Sequence, residues 1–256
     1  MLAQRLGDKT SKPFDHIVID EAQDLGPSEL RFFAAIAPDR ADALFLAGDL
    51  GQRIFQHPYS WKGLGVDVRG RSFTLKVCYR TSQQIRQSAD RLLPDVLRDV
   101  DGIEDERPGT ISVFDGPVPQ ICVFECVQAE SDAAKAFIQS ALDDGIAPSE
   151  IGLFVRVPSL VERAKAVLCD IQESDGATIN VMHLAKGLEF RAVLVLACDQ
   201  GFLPLDERME DATDDAELDE IFDSERRLLY VACTRARDRL MVSGVMPASE
   251  FLADLG

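Results

Sequence analysis

Two carboxylates stand at the end of an apolar run near the start of the chain, in Ile17-Val18-Ile19-Asp20-Glu21-Ala22-Gln23-Asp24. A β-branched run that stops abruptly at acids reads as a buried parallel strand. It delivers those acids to its C-terminal edge, where open α/β sheets hold their ligands. There Asp20 could hold Mg²⁺ through oxygen, while Glu21 orients and deprotonates a water for attack on a γ-phosphate. The same pair could equally be a solvated strand end capping the next helix. A second apolar run, residues 43–47, ends in another polar cluster, Gly48-Asp49-Leu50-Gly51-Gln52, so two consecutive strands bring polar groups to one edge. Much further on, Leu228, Val231, Ala232 and Arg235 recur at helical spacing, which puts an arginine on a buried stripe. Such an arginine needs an anionic partner, either an internal carboxylate or a phosphate.

The elements that must position these groups follow from hydrophobic periodicity. Strands are expected at 14–20, 43–47, 73–79, 110–114, 120–126, 151–155, 179–183, 192–198 and 239–243. Between them, Leu30, Phe33, Ala34 and Ala37 mark one amphipathic helix, and Ile85, Ala89 and Leu92 mark another that Thr81 or Ser82 can cap and Pro94 stops. Further helices are expected at 128–142, 159–169 and 219–236. This alternation predicts an α/β protein with parallel sheets flanked by helices. A boundary near residue 70, in an irregular glycine-bearing stretch, divides it into 1–70 and 71–256. Residues 1–13 are polar without periodicity, and 95–108 read as an acidic loop.

Composition narrows the class. The 256 residues are 46% hydrophobic and carry a formal net charge of −17, which argues against a protein that grips nucleic acid with its whole surface. Residues 206–225 hold eleven acids against one base, Arg208, and are expected to form a solvated or mobile loop, leaving room for a basic groove elsewhere. No apolar run reaches bilayer length and the first residues lack a signal-peptide layout, so a cytoplasmic protein without membrane contact is expected. Six cysteines without CxxC pairs read as reduced core residues.

Taken in order, IVIDEAQD, LAGDLGQRIF, LKVCYRTS, VMHLAKGLEFRAVLVL and ERRLLYVACTRARDRL resemble the motif series of UvrD/Rep-like superfamily I DNA helicases, over residues 14 to about 244. The resemblance implies RecA-like (P-loop NTPase-type) parallel sheets, with a partial first lobe over 1–70 and a complete second lobe over 71–256. It also implies use of ATP and Mg²⁺ and action on single-stranded DNA. Carried over residue by residue, Asp20 would bind the metal and Glu21 would activate water. Gln52 would sense the γ-phosphate, Tyr79 would stack on adenine and Arg80 would reach the γ-phosphate. Gly187 and Glu189 would approach ribose and phosphates with Lys186 holding their loop, and Arg235 would be the arginine finger. Trp61, then Phe55, would stack on DNA bases, and His183 would touch the DNA backbone.

The chain departs from that pattern in five places. It contains no GxxxxGK[ST]; Gly7-Asp8-Lys9-Thr10 lacks the glycine spacing and the preceding strand. It is therefore expected to begin inside the first lobe, to lack that lobe's N-terminal half and to be unable to hydrolyse ATP alone. The interval from Tyr79 to His183 leaves no room for a large accessory domain. Val181 stands where the family usually has threonine, and Cys78 where it commonly has asparagine. Extra residues separate Phe55 from Trp61. A rival reading is a free-standing, ATPase-dead module that binds DNA or a protein partner. Uncovered strand faces of a partial lobe would favour self-association.

Overall fold

The computed structural model describes residues 12–40, 42–55, 58–107, 109–169, 171 and 175–256. The Gly7–Thr10 stretch lies outside them. Two compact units emerge, one within Met1–Thr74 and Asp95–Pro108, the other within Leu75–Pro94 and Gly109–Gly256. The chain thus leaves the second unit after Pro94, contributes a segment to the first, and returns.

In the first unit, β1 (Ile17–Ile19) and β2 (Leu44–Leu46) pair in parallel with Val18 opposite Phe45. Parallel neighbours need a crossover, and α1 (Pro27–Ile36) lies between them in the chain. Pro27 suits the first helical turn, where no amide partner is required, and the Gly26 N–H donates to Glu29 Oε2 at 2.7 Å. Leu30 and Ile36 are its buried residues. The expectation of a β1 buried on both faces fails, because Val18 and Phe45 lie exposed side by side while Ile19 is buried.

The segment read as an acidic loop is instead an antiparallel hairpin, β4 (Val96–Arg98) and β5 (Glu104–Glu106). Arg98 and Glu104 face each other across it at 2.8 Å, an opposite-charge pair of the kind that offsets weak strand propensity. Asp99 Oδ1 accepts the N–H groups of Asp101 and Ile103, and Gly102 at φ +77° closes the turn.

The second unit holds a small parallel pair, β3 (Val77–Cys78) with β6 (Ile111–Ser112), and a five-stranded all-parallel sheet. Its strands are β7 (Gln120–Phe124), β8 (Ile151–Val155), β9 (Thr178–Val181), β10 (Phe190–Val195) and β11 (Ala236–Val245), in the order β7-β11-β10-β8-β9. The helices are α2 (Gln83–Asp90), α3 (Val127–Asp143), α4 (Val161–Leu168), α5 (Asp206–Glu210), α6 (Asp215–Cys233) and α7 (Phe251–Leu255). Ala134, Phe137 and Ile138 of α3 pack with Ala164 and Val167 of α4 over Leu153, Ala192, Leu194 and Met241. The alternate residues Val193, Val195, Leu240 and Val242 are buried as well. A sheet buried on both faces is what a continuous apolar strand such as AVLVLAC requires. This is the mixed α/β architecture expected, with parallel strands and flanking helices.

Three local expectations are corrected. Residues 206–225 are mostly helical, because Asp214 caps α6 by accepting the Glu217 N–H at 2.8 Å and its acids crowd a helix N-terminus, where the dipole favours them. The strand expected over 73–79 contracts to Val77–Cys78, leaving Phe73 and Leu75 almost wholly exposed. Of the six free cysteines only Cys198 and Cys233 are core residues; Cys126 and Cys169 are exposed. Among the described residues no helix is long and apolar enough to cross a membrane.

Candidate functional site

In the first unit the C-terminal edges of β1 and β2 carry one hydrogen-bonded cluster. Glu21 follows β1 in the left-handed region, at φ 51° and ψ 39°. A non-glycine residue held there stores on the order of 1 kcal/mol, a cost that concentrates at functional sites. Its N–H donates to Asp20 Oδ1 at 2.9 Å, and its carboxylate accepts from the Gln23 side-chain amide. Gln23, almost wholly buried, uses its Oε1 to accept the Asp49 N–H at 3.0 Å. Asp49 in turn accepts the Gly51 N–H at 2.8 Å on Oδ1 and Gln52 Nε2 at 2.9 Å on Oδ2. The cluster therefore joins Asp20, Glu21 and Gln52 through two residues to which the sequence reading gave no role, Gln23 and Asp49. Gly48 leaves room for the same clip, since a Cβ there would lie 2.4 Å from Gln23 Oε1 and the amide would have to shift. That steric need was the one available signal, a glycine just before the polar turn.

Among the described residues no three His, Cys, Asp or Glu side chains group as a metal site. The donors present still fit Mg²⁺ of the kind found in nucleotide sites, which takes one or two carboxylates and completes its shell with phosphate and water. Asp20 is exposed and offers such a carboxylate.

Trp61 and Phe55 also belong to this unit. Tyr59 and Trp61 stack with ring centroids 6.5 Å apart and an interplanar angle of 13°, and the Tyr59 hydroxyl donates to the Leu25 carbonyl. Burial raises the Tyr59 pKa above its ordinary value. Phe55 is half-exposed.

The second unit carries its own cluster. Tyr79 and Arg80 leave β3, with Tyr79 exposed and Arg80 Nε donating to Glu189 Oε2 at 2.9 Å. The turn behind them is tied to the start of β11, because the Ser82 N–H donates to the Arg237 carbonyl at 3.0 Å. Gly187, at φ +78°, lets the loop between Lys186 and Glu189 double back, and the Phe190 N–H then donates to the Arg235 carbonyl at 3.0 Å. Arg235 is buried as expected, but α6 ends at Cys233, short of the helix expected to 236, and the arginine sits in the turn beyond it. Its Nε donates to the Val231 carbonyl at 3.0 Å, and its other nitrogens lie 3.4 Å from the Leu188 carbonyl and 3.3 Å from Thr234 Oγ1. The backbone oxygens of the Gly187 loop and of α6 thus hold the guanidinium.

His183 sits on the turn Met182–Leu184 near an ion triad built on the buried Glu225 carboxylate. Glu225 of α6 is wholly buried and accepts from Arg156 through two bonds of 2.6 Å and from Arg208 at 2.6 Å. Burial, then the charge of Arg156, holds the His183 pKa below its ordinary value. Nothing in the local sequence marks Arg156, which lies 69 residues from its partner.

In the first unit two parallel strands gather acids and amides at their C-terminal edges, the edge at which open α/β sheets hold ligands. Residues 2–64 match the UvrD/REP helicase N-terminal domain and residues 148–246 the UvrD-like helicase C-terminal domain, together more than half of the sequence. The chain belongs to the UvrD/REP-like helicase family. It is 39% identical over 77 residues to the ATP-dependent DNA helicase PcrA of Leuconostoc citreum, covering 30% of this chain and 9% of that protein. It is 40% identical over 85 residues to the putative ATP-dependent DNA helicase YjcD of Bacillus subtilis, covering 32% and 11%. It is 43% identical over 74 residues to the ATP-dependent DNA helicase UvrD1 of Mycobacterium leprae, covering 29% and 9%. The matched stretch is thus about a tenth of each relative's length. A crystal structure of the C-terminal domain of a possible DNA helicase from Lactobacillus plantarum superposes with a TM-score of 0.46 at 23% identity, covering 70% of this chain and 94% of that one.

Proposed function

We propose that this chain supplies part of the first lobe and the second lobe of an ATP-dependent DNA helicase or translocase, divided near residue 70. In this reading Asp20 holds Mg²⁺, Glu21 activates water and Gln52 senses the γ-phosphate. Tyr79, Arg80, Gly187, Glu189 and Arg235 serve the nucleotide from the second lobe, and Trp61, Phe55 and His183 meet single-stranded DNA. The observation that carries it is the continuous hydrogen-bonded path from Glu21 through Gln23 and Asp49 to Gln52. A water-activating acid and a phosphate-sensing amide must hold a fixed relation for hydrolysis to be felt by the rest of the lobe. Binding of ATP would draw Arg80 and Arg235 toward phosphate, and hydrolysis would release them, giving the cycle that moves a strand.

The sequence holds no GxxxxGK[ST] to cradle the β- and γ-phosphates, so this chain by itself is expected not to turn over ATP. The partner it needs is the N-terminal half of the first lobe. The test is ATP hydrolysis stimulated by single-stranded DNA, measured on a longer natural chain containing this sequence and on this one, each with and without Glu21→Gln. Turnover by the longer chain that Glu21→Gln abolishes supports the reading; turnover by this chain alone, or a longer chain indifferent to Glu21→Gln, refutes it.

A further inference from the structure

We infer that the β4–β5 hairpin is a strap that positions both the Gln52 turn and the Trp61 turn of the first unit, with Arg107 and Asp101 as its positioning residues. The inference rests on the roles proposed above for Gln52 and Trp61.

At the base of the hairpin the Arg107 N–H donates to the Asp95 carbonyl at 3.0 Å, and the buried guanidinium stands with Nη1 3.6 Å from Asp49 Oδ1. Asp49 is the residue whose other oxygen accepts from Gln52. Arg107 thus lies in ion-pair range of the carboxylate that accepts from the sensor. At the tip, Asp101 accepts Ser60 Oγ at 2.5 Å and the Lys62 N–H at 3.0 Å, gripping the chain on both sides of Trp61. The Ser60 hydroxyl, followed by the amides of Lys62 and Trp61, holds the Asp101 carboxyl below its ordinary pKa. Ser60 Oγ also accepts the Gly63 N–H at 2.9 Å, so one carboxylate organises the whole turn Lys62–Leu64. Midway, Thr74 donates to Asp105 at 3.0 Å.

An exposed hairpin does not need ionised groups at both ends aimed into neighbouring turns. The charge-assisted hydrogen bonds of Asp101 at the tip, and the Arg107–Asp49 ion pair at the base, hold geometry more tightly than apolar contact does. The two turns so held are the ones proposed to meet phosphate and DNA, and a single hairpin reaches both, by an ion pair at its base and by hydrogen bonds at its tip. A displacement at one turn is therefore carried to the other through the strap.

Trp61 is the only tryptophan, so its fluorescence reports on the tip without interference. In this chain Arg107→Ala, at the far end, should raise the acrylamide quenching constant of Trp61 by about twofold or more, as local opening allows. Arg107→Lys should restore most of the wild-type value, and Arg71→Ala, a surface control, should change nothing. In the reverse direction, Asp101→Asn should speed hydrogen exchange at the Gly51 and Gln52 amides by about tenfold with the urea midpoint of the second unit unchanged. That arm stands even where Arg107→Ala unfolds the first unit. Unchanged exchange at Gly51 and Gln52 in Asp101→Asn would show the two ends to be independent and overturn the strap. Quenching of Trp61 by oligo(dT) in the wild-type chain tests the DNA role separately, so its failure is not mistaken for failure of the strap.

Discussion

Arg80 and Glu189 are 109 residues apart in the chain and 2.9 Å apart in the fold. Both side chains remain close to half-exposed, at 39% and 47%. The two groups, both proposed above to serve the nucleotide, are therefore paired with each other and open to water, which lets Arg80 exchange the Glu189 carboxylate for phosphate at small cost.

The first prediction concerns that cost. Arg80→Ala and Glu189→Ala should each change stability by less than about 1 kcal/mol, the range for exposed ion pairs. Urea midpoints at matched m-values measure it, and a larger loss would show the pair to be structural.

Glu225 should behave in the opposite way. Glu225→Gln leaves the buried Arg156 facing a neutral amide and should cost roughly 3 kcal/mol or more, whereas Arg156→Met with Glu225→Leu should recover much of the loss. Denaturation of the two variants side by side decides it. The single variant should also loosen α6, which ends just before Arg235.

Gly48→Ala places a methyl 2.4 Å from Gln23 Oε1. The amide must move and release the Asp49 N–H, at an expected cost of about 1–3 kcal/mol. Faster hydrogen exchange at Asp49 is the direct readout, and an unchanged rate would mean that the clip tolerates the methyl.

His183 carries a pH dependence of definite sign. Its folded pKa lies below 6.5, the ordinary value, so between the two the unfolded chain binds more protons and acid favours unfolding. Its contribution is present above pH 6.5 and is lost as the pH falls below that value toward the folded pKa. Comparing urea midpoints at pH 7.5 and 5.5, His183→Gln should show a smaller acid loss than wild type.

Thiol chemistry should divide the cysteines by burial. Burial raises the pKa of Cys198 and Cys233 well above the ordinary value, while Cys126 and Cys169 are exposed. An aromatic disulfide reagent at mildly alkaline pH should label the exposed pair promptly and the buried pair only in denaturant. Early labelling of Cys198 would contradict the burial of the segment that follows β10.

What the sequence determined by itself is the local grammar. The runs IVI, ALFLA and AVLVLAC carry the strands, because an apolar β-branched run followed by polar residues has few other places to go. Arg235, past the end of α6, is held inside by the turn that follows that helix, whereas the stripe Leu228, Val231 and Ala232 faces inward because helical period is a property of neighbours in sequence. The ordered motifs gave the family for the same reason. Only the tertiary structure decided that Asp95–Pro108 joins the first unit, that Gln23 clips Glu21 to Asp49, that Arg156 neutralises Glu225 inside the core, and that Arg80 meets Glu189. The acid-rich stretch 206–225 read as solvated because composition counts charges but not partners. Each of these outcomes depends on which distant groups the fold brings within hydrogen-bonding reach, and pattern along the chain does not encode that distance.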